Sequence, residues 1–111
     1  MPVLIGPDLT FADVIAVARH DEPVEVSEQA LTAVDHVAQL ADDVVPHYGI
    51  STGFGALASK RVPMEQRAIL QHSLIRSHAA STGAEVEREV IRAMMLLRLK
   101  TMASGHTGVR R

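Results

Sequence analysis

The chain has 111 residues, of which 47% are hydrophobic and 22% charged, with no cysteine, no tryptophan, a single tyrosine and a formal net charge of -2. That length allows one modest core at most, and the near-neutral balance leaves no electrostatic footprint for nucleic acid or an anionic membrane. Lack of cysteine rules out disulfides and thiolate chemistry and fits a reducing cytoplasm.

In chain order, "MPVLIGPDLT" has no basic region and too short an apolar stretch for a secretory signal. No uncharged apolar run approaches the ~18 residues of a membrane span. A soluble, cytoplasmic protein with no nucleic-acid or membrane partner is expected. Val3 to Ile5 reads as a short extended piece closed by Gly6 and Pro7. Thr10 then opens a helix, with Asp13 completing a capping box and Leu9 and Val14 at the positions of a hydrophobic staple. Phe11, Val14, Ile15 and Ala18 mark its apolar face as far as about Arg19. Val24 to Val26, after Pro23, is a second extended piece that can pair with the first.

Ser27 caps a second helix, and Glu28 suits the positive end of its dipole. Leu31, Val34, Val37, Ala38, Ala41 and Val45 keep helical spacing until Pro46 stops the run. A glycine-rich loop, "HYGISTGFGALA", follows from His47 to Ala58. "RVPME" restarts a helix with Leu70 and Leu74 on one side, ending near "SHAASTG" with Gly83 as the break. The last helix runs from Val86 to Met102, acidic at its start and basic near its end, as the macrodipole favours. Its apolar stripe is Val86, Val90, Ala93, Met94 and Leu97, widened by Ile91, Met95 and Leu99. So wide a stripe implies burial on more than one side, or a partner.

The loop matches neither the dinucleotide fingerprint nor the phosphate loop, so its glycines read first as a flexible connector. Tyr48 at its lip is a phenol able to act in acid–base chemistry, although a lone tyrosine more often packs. His78 shares a helical face with Leu70 and Leu74, where a histidine is usually half-buried and hydrogen-bonded. None of the six histidines forms the i, i+4 pair of zinc helices, so no metal site is expected. Ala103-Ser104-Gly105 reads as a helix end, since Ser104 would need a base held in reach to act as a nucleophile.

Three stretches stand in order: "YGISTGFGALA", "LQHSLIRSHAASTG", and "AMMLLRLK" followed by "GHTGVRR". Together they resemble the N-terminal part of the histidine ammonia-lyases. More broadly they resemble the aromatic amino acid lyases and aminomutases that carry a methylidene-imidazolone group. The resemblance implies a mainly α fold: the N-terminal helical domain of the lyase fold, with one or two very short strands and without the central helical bundle. Residues 1–111 would then form a single N-terminal lyase domain, cut off after Arg111.

It further implies that Tyr48 is the acid–base residue at the substrate's β-carbon and that His78 contacts the substrate's ring. Gly49, Gly53, Phe54 and Gly55 match the catalytic loop. The reaction implied is loss of ammonia from L-histidine to give trans-urocanate. Ser77-His78 is more similar to the histidine-specific members. A lyase or aminomutase acting on tyrosine or phenylalanine, or a non-catalytic helical interaction module, is the alternative. The resemblance places the Ala-Ser-Gly that cyclises to the prosthetic group downstream of Arg111, so Ala103-Ser104-Gly105 is not that motif. It implies a homotetramer for the full-length protein, and the chain alone is expected to be inactive.

Overall fold

The computed structural model describes residues 1–48 and 51–109, the side chain of Ala41 excepted. Two three-residue strands, β1 (Val3–Ile5) and β2 (Val24–Val26), pair in parallel with Val3 opposite Val24 and Ile5 opposite Val26. Parallel neighbours need a crossover, and helix α1 (Phe11–His20) supplies it. The expected capping box is present. Thr10 Oγ1 accepts from the Asp13 N–H at 3.2 Å, and the Thr10 N–H donates to Asp13 Oδ2 at 2.8 Å. At the other end Asp21 adopts a left-handed conformation, φ 58°, and its N–H closes on the Ala16 carbonyl.

Helix α2 (Glu28–Gln39) starts at Ser27, whose Oγ accepts from the Ala30 N–H at 3.1 Å. It does not reach Val45: after Gln39 the chain tightens into a 3₁₀ turn, Leu40–Asp42. Two local effects keep it from resuming. Asp43 Oδ1 accepts from the Val45 N–H at 3.2 Å, competing with the helical backbone bond, and Pro46 disfavours helical geometry at Val45. Helices α3 (Met64–His78) and α4 (Arg88–Met102) complete a mainly helical chain.

The chain folds as two compact units, one made of Met1–Gln39 with Glu85–Arg111, the other of Leu40–Ala84. In the first, Val3, Ile5, Val17, Ala30, Leu96 and Ala103 form the buried core, flanked by Leu9, Val14, Ala16, Val24 and Val26. The inward face of α1 is therefore Val14, Val17 and Ala18; Phe11 and Ile15, expected on that face, are 90% and 46% exposed. The correction is larger on α4. Leu96, outside the expected stripe, is its buried anchor, whereas Val90, Met94, Met95, Leu97 and Leu99 are exposed, and the helix begins at Arg88, after the exposed Val86 expected to open it.

Polar chemistry selects that face of α4. Arg92 Nε donates to the Val17 carbonyl at 2.9 Å, and Asp21 pairs with Arg88 at 2.8 Å and with Arg92 at 3.1 Å. Arg19 Nε donates to Glu89 Oε2 at 2.7 Å. These contacts tie the end of α1 to the start of α4, and the Arg88 guanidinium hydrogen-bonded to Asp21 holds its carboxyl below the usual range. The second unit holds the glycine-rich loop and α3, which has no buried residue; only Arg67, Leu70 and Leu74 are half-buried.

Candidate functional site

From Ser51 to Ala58 the glycine-rich loop is a folded turn and not a slack connector. Ser51 and Thr52 are buried at 0% and 2% exposure, the only buried polar residues among those described. Their backbone is paired with the chain returning from the loop. Thr52 bridges Arg61 in antiparallel fashion, the Gly53 N–H donates to the Lys60 carbonyl at 3.0 Å, and the Val62 N–H donates to the Ser51 carbonyl at 3.0 Å. A 3₁₀ turn, Gly55–Leu57, rounds the tip. Gly53 is there because nothing larger fits: a Cβ at this position would lie 2.7 Å from the Leu57 Cβ and 3.0 Å from its carbonyl oxygen. Gly55 sits at φ 55°, in the left-handed region.

This turn presents aromatic side chains. Tyr48 is 64% exposed and meets Phe54 edge to face, with ring centroids 5.8 Å apart and planes at 79°. His78 is the last residue of α3, its Nδ1 2.9 Å from both the Leu74 carbonyl and Ser77 Oγ. A carbonyl only accepts, so Nδ1 carries the proton in that contact and Nε2 is the ring's remaining acceptor. Tyr48, Phe54, Gly55, Leu74, Ile75 and His78 line one open hollow of about 760 Å³. Tyr48, Phe54, Gly55 and His78 thus come together, with Gly53 buried within the same loop. Gly49 lies outside the described residues.

Sequence reasoning passed over three features of this unit. Ile75 joins Leu74, already placed on the face of His78, to give the hollow apolar walls, Ser51 and Thr52 anchor the loop, and Asp43 pairs with His47 at 2.9 Å just ahead of Tyr48. The i, i+4 spacing of Asp43 and His47 was the one legible signal. The His47 imidazole hydrogen-bonded to Asp43, aided by the Val45 N–H, holds that carboxyl below the usual range. Among the described residues no three His, Asp or Glu side chains gather as a metal site would require.

A family model described as aromatic amino acid lyase matches residues 9–111. The chain belongs to the aromatic amino acid lyase family. Among curated proteins it is similar to a histidine ammonia-lyase of Streptomyces griseus, 54% identical across 97% of this chain and 22% of that protein. A histidine ammonia-lyase of Treponema denticola is 44% identical over the same shares. Among solved structures it is similar to a tyrosine aminomutase from Streptomyces globisporus, with TM-score 0.82, 32% identity, and coverage of 99% of this chain and 22% of that one. The ergothioneine-degrading ergothionase of Treponema denticola gives TM-score 0.87 and 29% identity, covering 99% of this chain and 23% of that one. The chain spans 22% of the length of these curated relatives.

Aromatic amino acid lyases use a prosthetic group made from an internal Ala-Ser-Gly. The one such tripeptide here, Ala103-Ser104-Gly105, does not fit that role. Ala103 is 9% exposed within the core and its N–H donates to the Leu99 carbonyl at 2.9 Å, closing the last turn of α4. Ser104 Oγ donates to the Thr101 carbonyl at 2.7 Å, and Gly105 turns the chain away at φ 79°. It is a helix terminator.

Proposed function

We propose that the chain is the N-terminal part of a histidine ammonia-lyase, which eliminates ammonia from L-histidine to give trans-urocanate. The observation that carries this reading is the hollow shared by Tyr48, Phe54, Gly55 and His78, on a chain 54% identical to a histidine ammonia-lyase. Elimination breaks a C–H bond at the β-carbon and a C–N bond at the α-carbon while a C=C bond forms between them. Tyr48 Oη takes the β-proton. His78, with its proton on Nδ1, offers Nε2 to the N–H of the substrate imidazole. Leu74 and Ile75 supply the apolar wall against which the ring rests. The electrophile that makes ammonia a leaving group comes from the prosthetic group of the longer protein, contributed by residues outside this chain. A cytoplasmic homotetramer is the proposed setting, by analogy with the family.

The test joins residues 1–111 to the remaining segment of the Streptomyces griseus enzyme, as a chimaera, and follows urocanate by ultraviolet absorbance. Turnover of L-histidine, and its loss in Tyr48→Phe, supports the proposal. Turnover of L-tyrosine in its place moves the substrate to that of the aminomutases, whose structures share this fold at 32% identity. No turnover of either, from a folded chimaera, removes the catalytic reading and leaves a helical interaction module.

A further inference from the structure

The residues just ahead of Tyr48 form a polar assembly that the reaction above leaves unused. Asp43 Oδ2 lies 2.9 Å from His47 Nε2, while Asp43 Oδ1 accepts from the Val45 N–H at 3.2 Å. The His47 N–H donates to Ser51 Oγ at 3.0 Å, and the His47 carbonyl accepts from the Ser51 N–H at 3.0 Å. Ser51 is fully buried and accepts at its own carbonyl from the Val62 N–H. Arg61, beside Val62, donates Nη1 to the Val44 carbonyl at 3.0 Å, holding the same turn from the other side.

His47 is therefore fixed at three points: its N–H and carbonyl by one buried serine, its ring by a carboxylate. Tyr48 hangs from the very next peptide bond. Freedom left in the backbone at His47 would pass directly into the position of the phenol, because an ångström of misplacement costs an acid–base group much of its effect. We propose that Asp43 and His47 are positioning residues for Tyr48, the carboxylate–imidazole contact fixing the backbone from which the phenol reaches the hollow. The importance of that position rests on the acid–base reading of Tyr48. The position itself can be measured without catalysis.

The measurement uses the chain as it stands, which has one tyrosine and two phenylalanines. The edge-to-face contact of Tyr48 with Phe54 gives a nuclear Overhauser cross-peak between the two rings, a marker of where the phenol lies. In His47→Ala and Asp43→Ala that cross-peak should fall on the order of twofold, as expected when an exposed pair that biases a loop is removed. His47→Gln keeps a side-chain N–H near the place of Nε2 and should restore it. Helix content by circular dichroism should stay unchanged in all three. Native cross-peaks in His47→Ala or in Asp43→Ala would overturn the proposal. So would His47→Gln behaving like His47→Ala, because the contact with Asp43 would then not be the operative link. Should His47→Ala fail to fold, Asp43→Ala and His47→Gln decide alone. If the cross-peaks respond as expected while Tyr48→Phe retains full turnover in the chimaera, the function proposed for Tyr48 fails and the anchor stands.

Discussion

At Gly53 a single methyl group decides whether the loop closes. Its Cβ would meet both the side chain and the carbonyl of Leu57, and a backbone carbonyl cannot swing aside. Gly53→Ala should lower stability by ~1–3 kcal/mol, in the range of overpacking. Gly55→Ala enters open space and carries only the left-handed backbone penalty of about 1–2 kcal/mol. Urea denaturation of the two variants checks both values. For Tyr48→Phe in the chimaera, kcat should fall ~10²–10⁴-fold with KM little changed, because the ring that packs on Phe54 remains and only the hydroxyl goes. Asp21 makes a prediction about acid. Its carboxyl titrates below the ordinary 3.8 when folded, because Arg88 hydrogen-bonds it and Arg88 and Arg92 attract its charge. Its stabilising share is therefore complete above the unfolded value and is lost as pH falls through the lower, folded one. Asp21→Asn should melt lower at neutral pH and show a shallower loss of Tm below about pH 4, in a thermal series across pH. Tyr48 and His78 drew notice in the sequence because they stand inside distinctive strings of letters. Asp43 and His47 showed only their spacing, which decides nothing, because an acid and a histidine four apart look the same whether they meet or point into water.

Among the elements, α1 was read most fully and α4 least. The capping box that starts α1 is local chemistry, complete within Thr10 to Asp13, so the sequence displays it directly. The buried face of α4 is a tertiary choice. Apolar residues surround most of that helix, and periodicity alone favoured the stripe through Val90, Met94 and Leu97. Its neighbour α1 instead takes the face carrying Glu89, Arg92 and Leu96, where two arginines and a glutamate find partners. Leu96→Ala should accordingly cost ~2–5 kcal/mol, as a buried leucine does. Met94→Ala, at a site 58% exposed, should stay within about 0.5 kcal/mol of the native chain. Chemical denaturation of the pair checks the assignment of the face. The early end of α2 has the same lesson in reverse: apolar spacing ran on to Val45, but the chain tightens after Gln39 and the Asp43 side chain then takes the Val45 N–H.

For the whole molecule, α4 exposes Val90, Met94, Met95, Leu97 and Leu99, and α3 exposes Met64, Ile69 and Ile75; apolar side chains that join into a patch of more than a few hundred Å² mark a surface that meets a partner. Sedimentation of the isolated chain should show concentration-dependent self-association, and a non-associating monomer would count against it. The order of elements and the two short strands were legible along the chain. The grouping into two units was not, because it depends on α4 returning to β1 and α1 from the far end of the sequence. That return bears on how the chain is made. The first unit is built from both ends of the sequence, with Leu40–Ala84 synthesised between them. Val3, Ile5 and Val17 leave the ribosome well before Leu96, the side chain that completes their core. At ~5–20 residues per second, translation holds that half-built surface open for several seconds. The loop and α3 emerge during that wait, so chaperones that capture nascent chains would meet the strands and α1 before α4 has been made.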